Sequence, residues 1–445
     1  MKLSKVSLAV AALVAGSSAF AAAPTAAEIA YAAGASAIQA NLQIALADIC
    51  DDNVGFALSK LRANLPGIND NFVAYVCAST PVTLANYATA TYGNFSAGIP
   101  FKEIRLNVDQ GSFSAIQQIQ NSPTIPLSYF NPAGPNTASN ITPNPATIVR
   151  LGGALDVQPN TFPLALLAGL TVPASPPTLG VAQAFGVAVS QPLYVAMYNN
   201  QLAAGSATVS KPIPLSCGAG NALTTTDRIE CIPTVSKGQM AAIMADAPFN
   251  TPNNIGAAFL GGAAVSGTEL GYARRVDTGG TQAAAQNYFL GNVCSNVQLA
   301  VVPQGTATGV VPGALLRVYG LGGTSNVRAV LNDATKLSIG VMSGENNQTG
   351  QSWKWVKVQG APLGENATPG AAGISNRVPV ANGSYDFYYE AVYASGGTAG
   401  DNFWSEVKTK INAIVPPLGF GLIDEATLLA GFNKGGNTCQ FNSSN

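Results

Sequence analysis

"EIRLNVDQGSFSAIQQIQ", residues 103–120, combines two hydrophobic periods in one short run. Ile104, Leu106 and Val108 alternate with polar residues, as a half-buried strand requires. Gly111-Ser112-Phe113-Ser114 then supplies a tight turn, and the residues beyond it carry Ile116 and Ile119 at helical spacing. A strand that passes through small residues directly into a helix is the building unit of α/β sheets.

Neighbouring segments have the same form. "AEIAYAAGASAIQANLQIALADIC" predicts a short strand, a Gly-Ala-Ser turn and a helix that Ser36 caps, with Ile38, Leu42 and Leu46 on one stripe. "NVGFALSKLRANL" predicts a second helix, and "TIVRLGGALDV" a strand that runs through two glycines to Asp156. "NPAGPNTASNITPNPA", rich in Pro and Asn, predicts a surface loop. "FGVAVSQPLYVAMY" is apolar and β-branched enough for a buried strand pair broken at Pro192. "VSKGQMAAIMADAPF" opens with Ser236 three residues before Gln239, a capping box, and should bury Met240, Ile243 and Met244. "SYDFYYEAVYA" is strand-like, and "DNFWSEVKTKINAIV" an amphipathic helix.

Composition narrows the function classes. Residues 1–21 read as a signal peptide: two lysines, a short apolar run, and an A-x-A site expected to be cut after Ala21. That leaves 424 of 445 residues, and loss of Lys2 and Lys5 moves the net charge from −1 to −3. Charged residues are 10% of the chain, against a usual ~25%. No basic face marks a nucleic-acid partner, and no other apolar run is long enough to span a bilayer. Histidine is absent, which removes Ser-His and Cys-His catalysis and the commonest metal ligand. No metal, cofactor or enzymatic activity is expected.

The six cysteines contain no CxxC, so in an exported chain they predict three disulfides. Short separation favours Cys50–Cys77 and Cys217–Cys231, leaving Cys294–Cys439.

The concentration of polar chemistry in "RRVDTGGTQ" stands out in a chain with so few charges. Gly279 and Gly280 let the backbone curl so that several N–H groups face one point, and Thr278 and Thr281 add hydroxyls. Arg274 and Arg275 precede the turn, and alternation along a strand would put only one of them on the ligand side. Together these groups suit an anion. Each such turn taken singly is more simply a helix cap; Asp156, after an apolar strand and two glycines in a chain with few acids, is the hardest to dismiss, although a helix-capping aspartate looks the same.

The order of the turns carries more than any one of them. "AGASAIQ", "QGSFSAIQQI", "LGGALDVQP", "GVAQAFGVAVSQPLYVAMY" and "RVDTGGTQAAAQNYF" follow one another as do "GA(S/T)FP", a "GSG"-type turn, "FGxSDxPL", a "Q(F/I)P" crossover and "RxDGSGT" in the phosphate-binding proteins of bacterial ABC uptake systems. The helix "VSKGQMAAIMADAPF" is similar to that family's "LTxxqLxxIFxGxixxW". The chain thus resembles a divergent member of the type II periplasmic binding protein family over most of its length.

The resemblance implies an α/β, two-lobed fold, each lobe a mixed sheet flanked by helices, with a ligand cleft between lobes. Lobe one would take residues 22–190 plus 378–445, and lobe two residues 191–377, with crossovers near Ser190 and Arg377. It implies a monomeric periplasmic or secreted solute-binding protein for phosphate or a similar small oxyanion, serving uptake with an inner-membrane ABC permease. Carried over by position, Ser36 and the N–H of Ala37 form the first turn, and Ser112 or Ser114 the second. Asp156 accepts the proton of a protonated phosphate, Arg275 is the cation, and Gly280 and Thr281 close the site. Gly279 stands where the family has a ligating serine, a hydroxyl that Thr278 could partly replace. Ala37 replaces a phenylalanine, and "ALDV" stands for "SDxP". A surface or matrix protein of the same fold with a degenerate site is the alternative.

Overall fold

The computed structural model describes residues 22–62, 71–120, 127–134, 140–143, 147–173, 176–202, 213–224, 228–245, 255–291, 315–364, 378–414 and 422–424. The signal peptide, Cys294, Cys439 and Arg377 lie outside the described residues. The protein has an α/β fold with mixed β-sheet flanked by helices. Its contacts group it into two compact units. One comprises Met1–Tyr31, Leu46–Leu106 and Ser128–Val149, and the other Ala32–Ala45, Asn107–Leu127 and Arg150–Asn445. This grouping concerns local compactness and is a different division from the expected lobes.

The smaller unit is built on strands Ala57–Arg62 and Phe72–Ala78, which pair antiparallel with Leu58 opposite Cys77. Cys50 and Cys77 are joined as a disulfide. Residues 53–65 were expected to be helical, and Ala57–Arg62 is instead a strand. Helical spacing of its apolar residues is overridden by the neighbouring strand, whose backbone donors and acceptors need partners in the interior. Ser128–Phe130 pairs with Ile141–Pro143 in a separate two-stranded sheet, so part of the expected 131–146 loop is a strand. Leu61, Val76, Tyr87, Tyr92 and Phe130 fill the core. Glu103 is wholly buried and is held by Arg105 Nε at 2.6 Å and by the Tyr87 hydroxyl. Arg105 also donates to Asn131 Oδ1 at 3.1 Å.

The larger unit is organised around the long strand Thr178–Ser190. Leu337–Ser343 and Trp353–Val358 pair antiparallel with its C-terminal half, and Tyr388–Ser395 with its N-terminal half. Leu270–Arg275 lies parallel between Leu316–Leu321 and Leu337–Ser343. Thr178–Ser190 is buried almost throughout, which explains its continuous apolar run. The expected second strand after Pro192 is instead the helix Gln191–Leu202. Proline there occupies the first helical turn, where no intrahelical N–H partner is lost and φ is already set.

Other expected elements form as read. Ser236 and Gln239 exchange reciprocal hydrogen bonds of 3.0 and 2.9 Å at the start of Lys237–Ala245, and Met240, Ile243 and Met244 are fully buried. Tyr388–Ser395 is a strand and Thr398–Ile414 a helix. Cys217 and Cys231 form the second disulfide.

Val149–Leu155 pairs antiparallel with Tyr388–Ser395, setting Gly153 opposite Ala394 and Gly152 opposite Ser395. Both glycines are crowded by backbone. A Cβ on Gly153 would lie 1.6 Å from the Ala33 carbonyl oxygen, and one on Gly152 1.8 Å from that of Ala394. Gly153→Ala should therefore cost more than about 4 kcal/mol, the range of core overpacking that abolishes folding. Gly238→Ala, at an exposed helix position with no backbone nearby, should stabilise by about 0.5–1 kcal/mol. Urea denaturation of the two variants checks both, and a folded Gly153→Ala protein would contradict the close approach.

Candidate functional site

The strand Val149–Leu155 delivers Asp156 at its end, and the strand Glu103–Asn107 leads into the turn that opens the helix Phe113–Ile119. These two ends meet in the larger unit. Ser112 Oγ donates to Asp156 Oδ2 at 3.1 Å, and the Asp156 N–H donates back to Ser112 Oγ at 3.2 Å. Ser112 is wholly buried and Asp156 4% exposed. Ser114, the other candidate of that turn, spends its hydroxyl on the Gly111 carbonyl at 2.6 Å.

The turn after Leu270–Arg275 reaches the same point. Gly280 begins the helix Gly280–Ala285, which continues as a wider turn over Gln286–Leu290. A Cβ on Gly280 would lie 2.3 Å from Ser112 Oγ and 2.8 Å from Asp156 Oδ2, so only glycine fits without displacing that pair. The Thr278 carbonyl accepts the Phe113 N–H at 3.1 Å, which ties the two turns together. Thr278 itself is half-buried, and Thr281 is buried in the first helical turn. Further along, Tyr288 stacks on Phe387 with ring centroids 4.3 Å apart, fixing the end of the helical run.

The two arginines diverge, as alternation along a strand requires. Arg274 donates to the Arg275 carbonyl at 2.9 Å and pairs with Asp277. Arg275 lies on the side of Asp156, and its guanidinium donates to Thr324 Oγ1 at 2.9 Å and to the Gly322 carbonyl at 2.8 Å. Its Nε and the Asp156 Oδ1 are buried without a hydrogen-bond partner.

Burial holds the Arg275 proton affinity below its ordinary value, opposed by the charges of Asp156, Glu345 and Asp109. Burial also pushes Asp156 up to about 7, and the charge of Glu345 adds to the rise, while Ser112 and Arg275 oppose it. The geometry thus collects Ser112, Asp156, Arg275, Gly280 and the Thr278 backbone.

Ser36 and Ala37 are placed differently. The Ala35 N–H donates to the Ala154 carbonyl at 2.8 Å, so their turn packs two residues short of Asp156. Ser36 begins the single turn Ser36–Ile38, capped by Ala35 without a side-chain bond, and it is not the helix cap expected. The Thr278 side chain likewise does not cap, since Gly279 holds that position.

Glu345 and Thr324 had no motif to announce them. Glu345 sits in the polar "SGENNQTG" turn, and its only signal was the scarcity of acids. Among the described residues, no group of three His, Cys, Asp or Glu is placed to hold a metal ion, and no helix is long and apolar enough to cross a membrane.

No protein-family model and no curated protein matches the chain. A solved structure assigned as a phosphate ABC transporter substrate-binding protein with bound phosphate, from Clostridium perfringens, is similar at 12% identity. The likeness covers 89% of this chain and 99% of that one, with a TM-score of 0.39. At that TM-score it is too slight to argue from.

Asp156 supplies a pH test. A carboxyl whose folded proton affinity is raised from 3.8 to about 7 favours folding most fully below about pH 4. That contribution is lost as pH rises toward 7, by up to ~1.4 kcal/mol per pH unit. Asp156→Asn should flatten this slope between pH 4 and 7. Urea midpoints of both proteins across pH 4–8 measure it, and parallel profiles would contradict the burial of an ionisable Asp156.

Proposed function

We propose that the protein binds a small oxyanion, phosphate or a close analogue, at the Ser112–Asp156–Arg275–Gly280 cluster, as an exported solute-binding protein without catalytic activity. The observation that carries this is the meeting of the turns at 111–114, 156 and 275–281. They bring an interior guanidinium, a serine and a helix start to one carboxyl whose Oδ1 lacks a partner. Buried polar atoms without partners are uncommon in folded proteins, and a donor-bearing anion would satisfy Oδ1 while the Arg275 Nε supplies charge.

In the two-lobed clamp expected of such a protein, Ser112 and Asp156 belong to the first lobe. Arg275 to Thr281 belong to the second, so closure would depend on ligand. An uptake permease is the partner proposed, and a periplasmic or secreted location follows from the N-terminal signal read in the sequence.

One observation favours the alternative, a surface protein with a vestigial site. Ser112 and both terminal nitrogens of Arg275 already have protein partners. Thermal shift against phosphate, sulfate, phosphonates and carboxylates separates the two, because a ligand of the folded state alone raises its stability. Arg275→Ala should remove ~1.5–3 kcal/mol of binding, about tenfold to a hundredfold in affinity by calorimetry, with far-UV dichroism unchanged. No response to any anion would sink the binding role and leave the structural one.

A further inference from the structure

We propose that Thr324 is a positioning residue for anion binding: it holds the far nitrogen of the Arg275 guanidinium, so that the side-on pair of N–H donors, Nε and Nη2, is left for the ligand. The inference rests on the anion-binding role proposed above and deepens it by naming what orients its cation.

Strand register brings Thr324 to Arg275. Leu270–Arg275 and Leu316–Leu321 run parallel with Arg275 opposite Leu321, and the Val276 N–H donates to the Leu321 carbonyl at 3.0 Å. The two strands therefore end together. Each then leads through Gly-Gly-Thr into a helix, Gly279-Gly280-Thr281 after the first and Gly322-Gly323-Thr324 after the second. In the second corner Gly323 holds the cap position, and its N–H donates to Asn326 Oδ1 at 3.1 Å. The Thr324 hydroxyl is thus not spent on capping its own helix. It accepts from Arg275 Nη1 at 2.9 Å.

Which nitrogen it takes decides what the arginine can still do. A guanidinium carries five N–H groups in one rigid plane, and its side-on fork uses Nε with Nη2. Thr324 engages Nη1, the nitrogen that this fork leaves out. Nη2 lies where the turns meet: a Cβ on Gly279 would be 3.4 Å from it, and one on Gly111 3.7 Å. One Nη2 hydrogen goes to the Gly322 carbonyl at 2.8 Å, which leaves the second, and Nε is buried without a partner. The corner at 322–324 thus fixes the plane of the guanidinium and keeps two adjacent donors for two oxygens of one anion. A long side chain that is already ordered also has less freedom to lose on binding.

Calorimetry with inorganic phosphate at pH 7 on wild type, Thr324→Val, Thr324→Ala and Thr324→Ser tests this, beside thermal melts of each without phosphate. Thr324→Val keeps the shape, removes the acceptor and should weaken binding about fivefold. Thr324→Ala should repeat that loss, and it decides the matter if the valine variant does not fold. Thr324→Ser restores the hydroxyl and should bind within about twofold of wild type. In an Arg275→Ala background Thr324→Val should cost nothing further, because its effect passes through the guanidinium. Tighter binding by Thr324→Val would show that this bond competes with the anion. Unchanged affinity with a lowered melting temperature would show that it serves the fold alone. Either result overturns the proposal, as does a serine variant as weak as the valine one. Wild type that gives no heat with phosphate fails the binding role itself, and the proposal falls with it; wild type that binds while the Thr324 variants match it fails this proposal alone.

Discussion

The approach of two backbone carbonyls to Gly152 and Gly153 is the constraint on which the larger unit depends. The Ala394 carbonyl belongs to the neighbouring strand Tyr388–Ser395, and the Ala33 carbonyl to the strand end before Ser36. No side chain fits either contact, so the strand must be bare there. Gly34, at φ +144°, is fitted against Ala154 in the same way, its absent Cβ lying 2.2 Å from that carbonyl oxygen. The result is a strand fixed in depth by backbone alone. Asp156, one residue beyond it, inherits that position. A carboxyl delivered by such a strand cannot retreat to solvent, which is why its solvation, and not its flexibility, governs its chemistry.

Low overall charge makes that possible. Asp156 and Arg275 are both buried, yet they do not pair with each other at ion-pair distance, and their side chains bond to the hydroxyls of Ser112 and Thr324 and the carbonyl of Gly322. In a medium of low effective dielectric a charge acts over longer range than at a surface.

Much of the fold could be read from local pattern, because strand, small-residue turn and helix are each written in consecutive residues. The unit at 103–120, the capping box at Ser236 and the pairs Cys50–Cys77 and Cys217–Cys231 are of this kind. Residues 57–62 were misread because Leu58 and Leu61 suit either period, and only the partner strand Phe72–Ala78 decides between them. Pro192 was misread for a related reason. A proline marks a boundary but does not say whether a helix begins at it. The choice between Ser112 and Ser114 was open in sequence, since both lie in the turn. In the structure Ser114 donates to the Gly111 carbonyl and Ser112 to Asp156. Thr324, which accepts from Arg275, lies 49 residues beyond it in sequence, and no periodicity could join them.

Gly279 stands where the sequence resemblance leads to the expectation of a serine. Its backbone, φ −78° and ψ 126°, is ordinary for any residue. A Cβ there would meet the Val276 carbonyl at 3.2 Å and Arg275 Nη2 at 3.4 Å, a tight fit that a small shift relieves. Conformation alone therefore does not demand glycine. The partner turn gives a better reason. Gly111, at φ +69°, comes so near that its own missing Cβ would lie 3.1 Å from the Gly279 Cα, beside the hydrogen bond from Phe113 to Thr278. Two glycines face each other across the junction of the turns. This backbone-to-backbone contact holds Ser112 and the start of the Gly280 helix against one carboxyl.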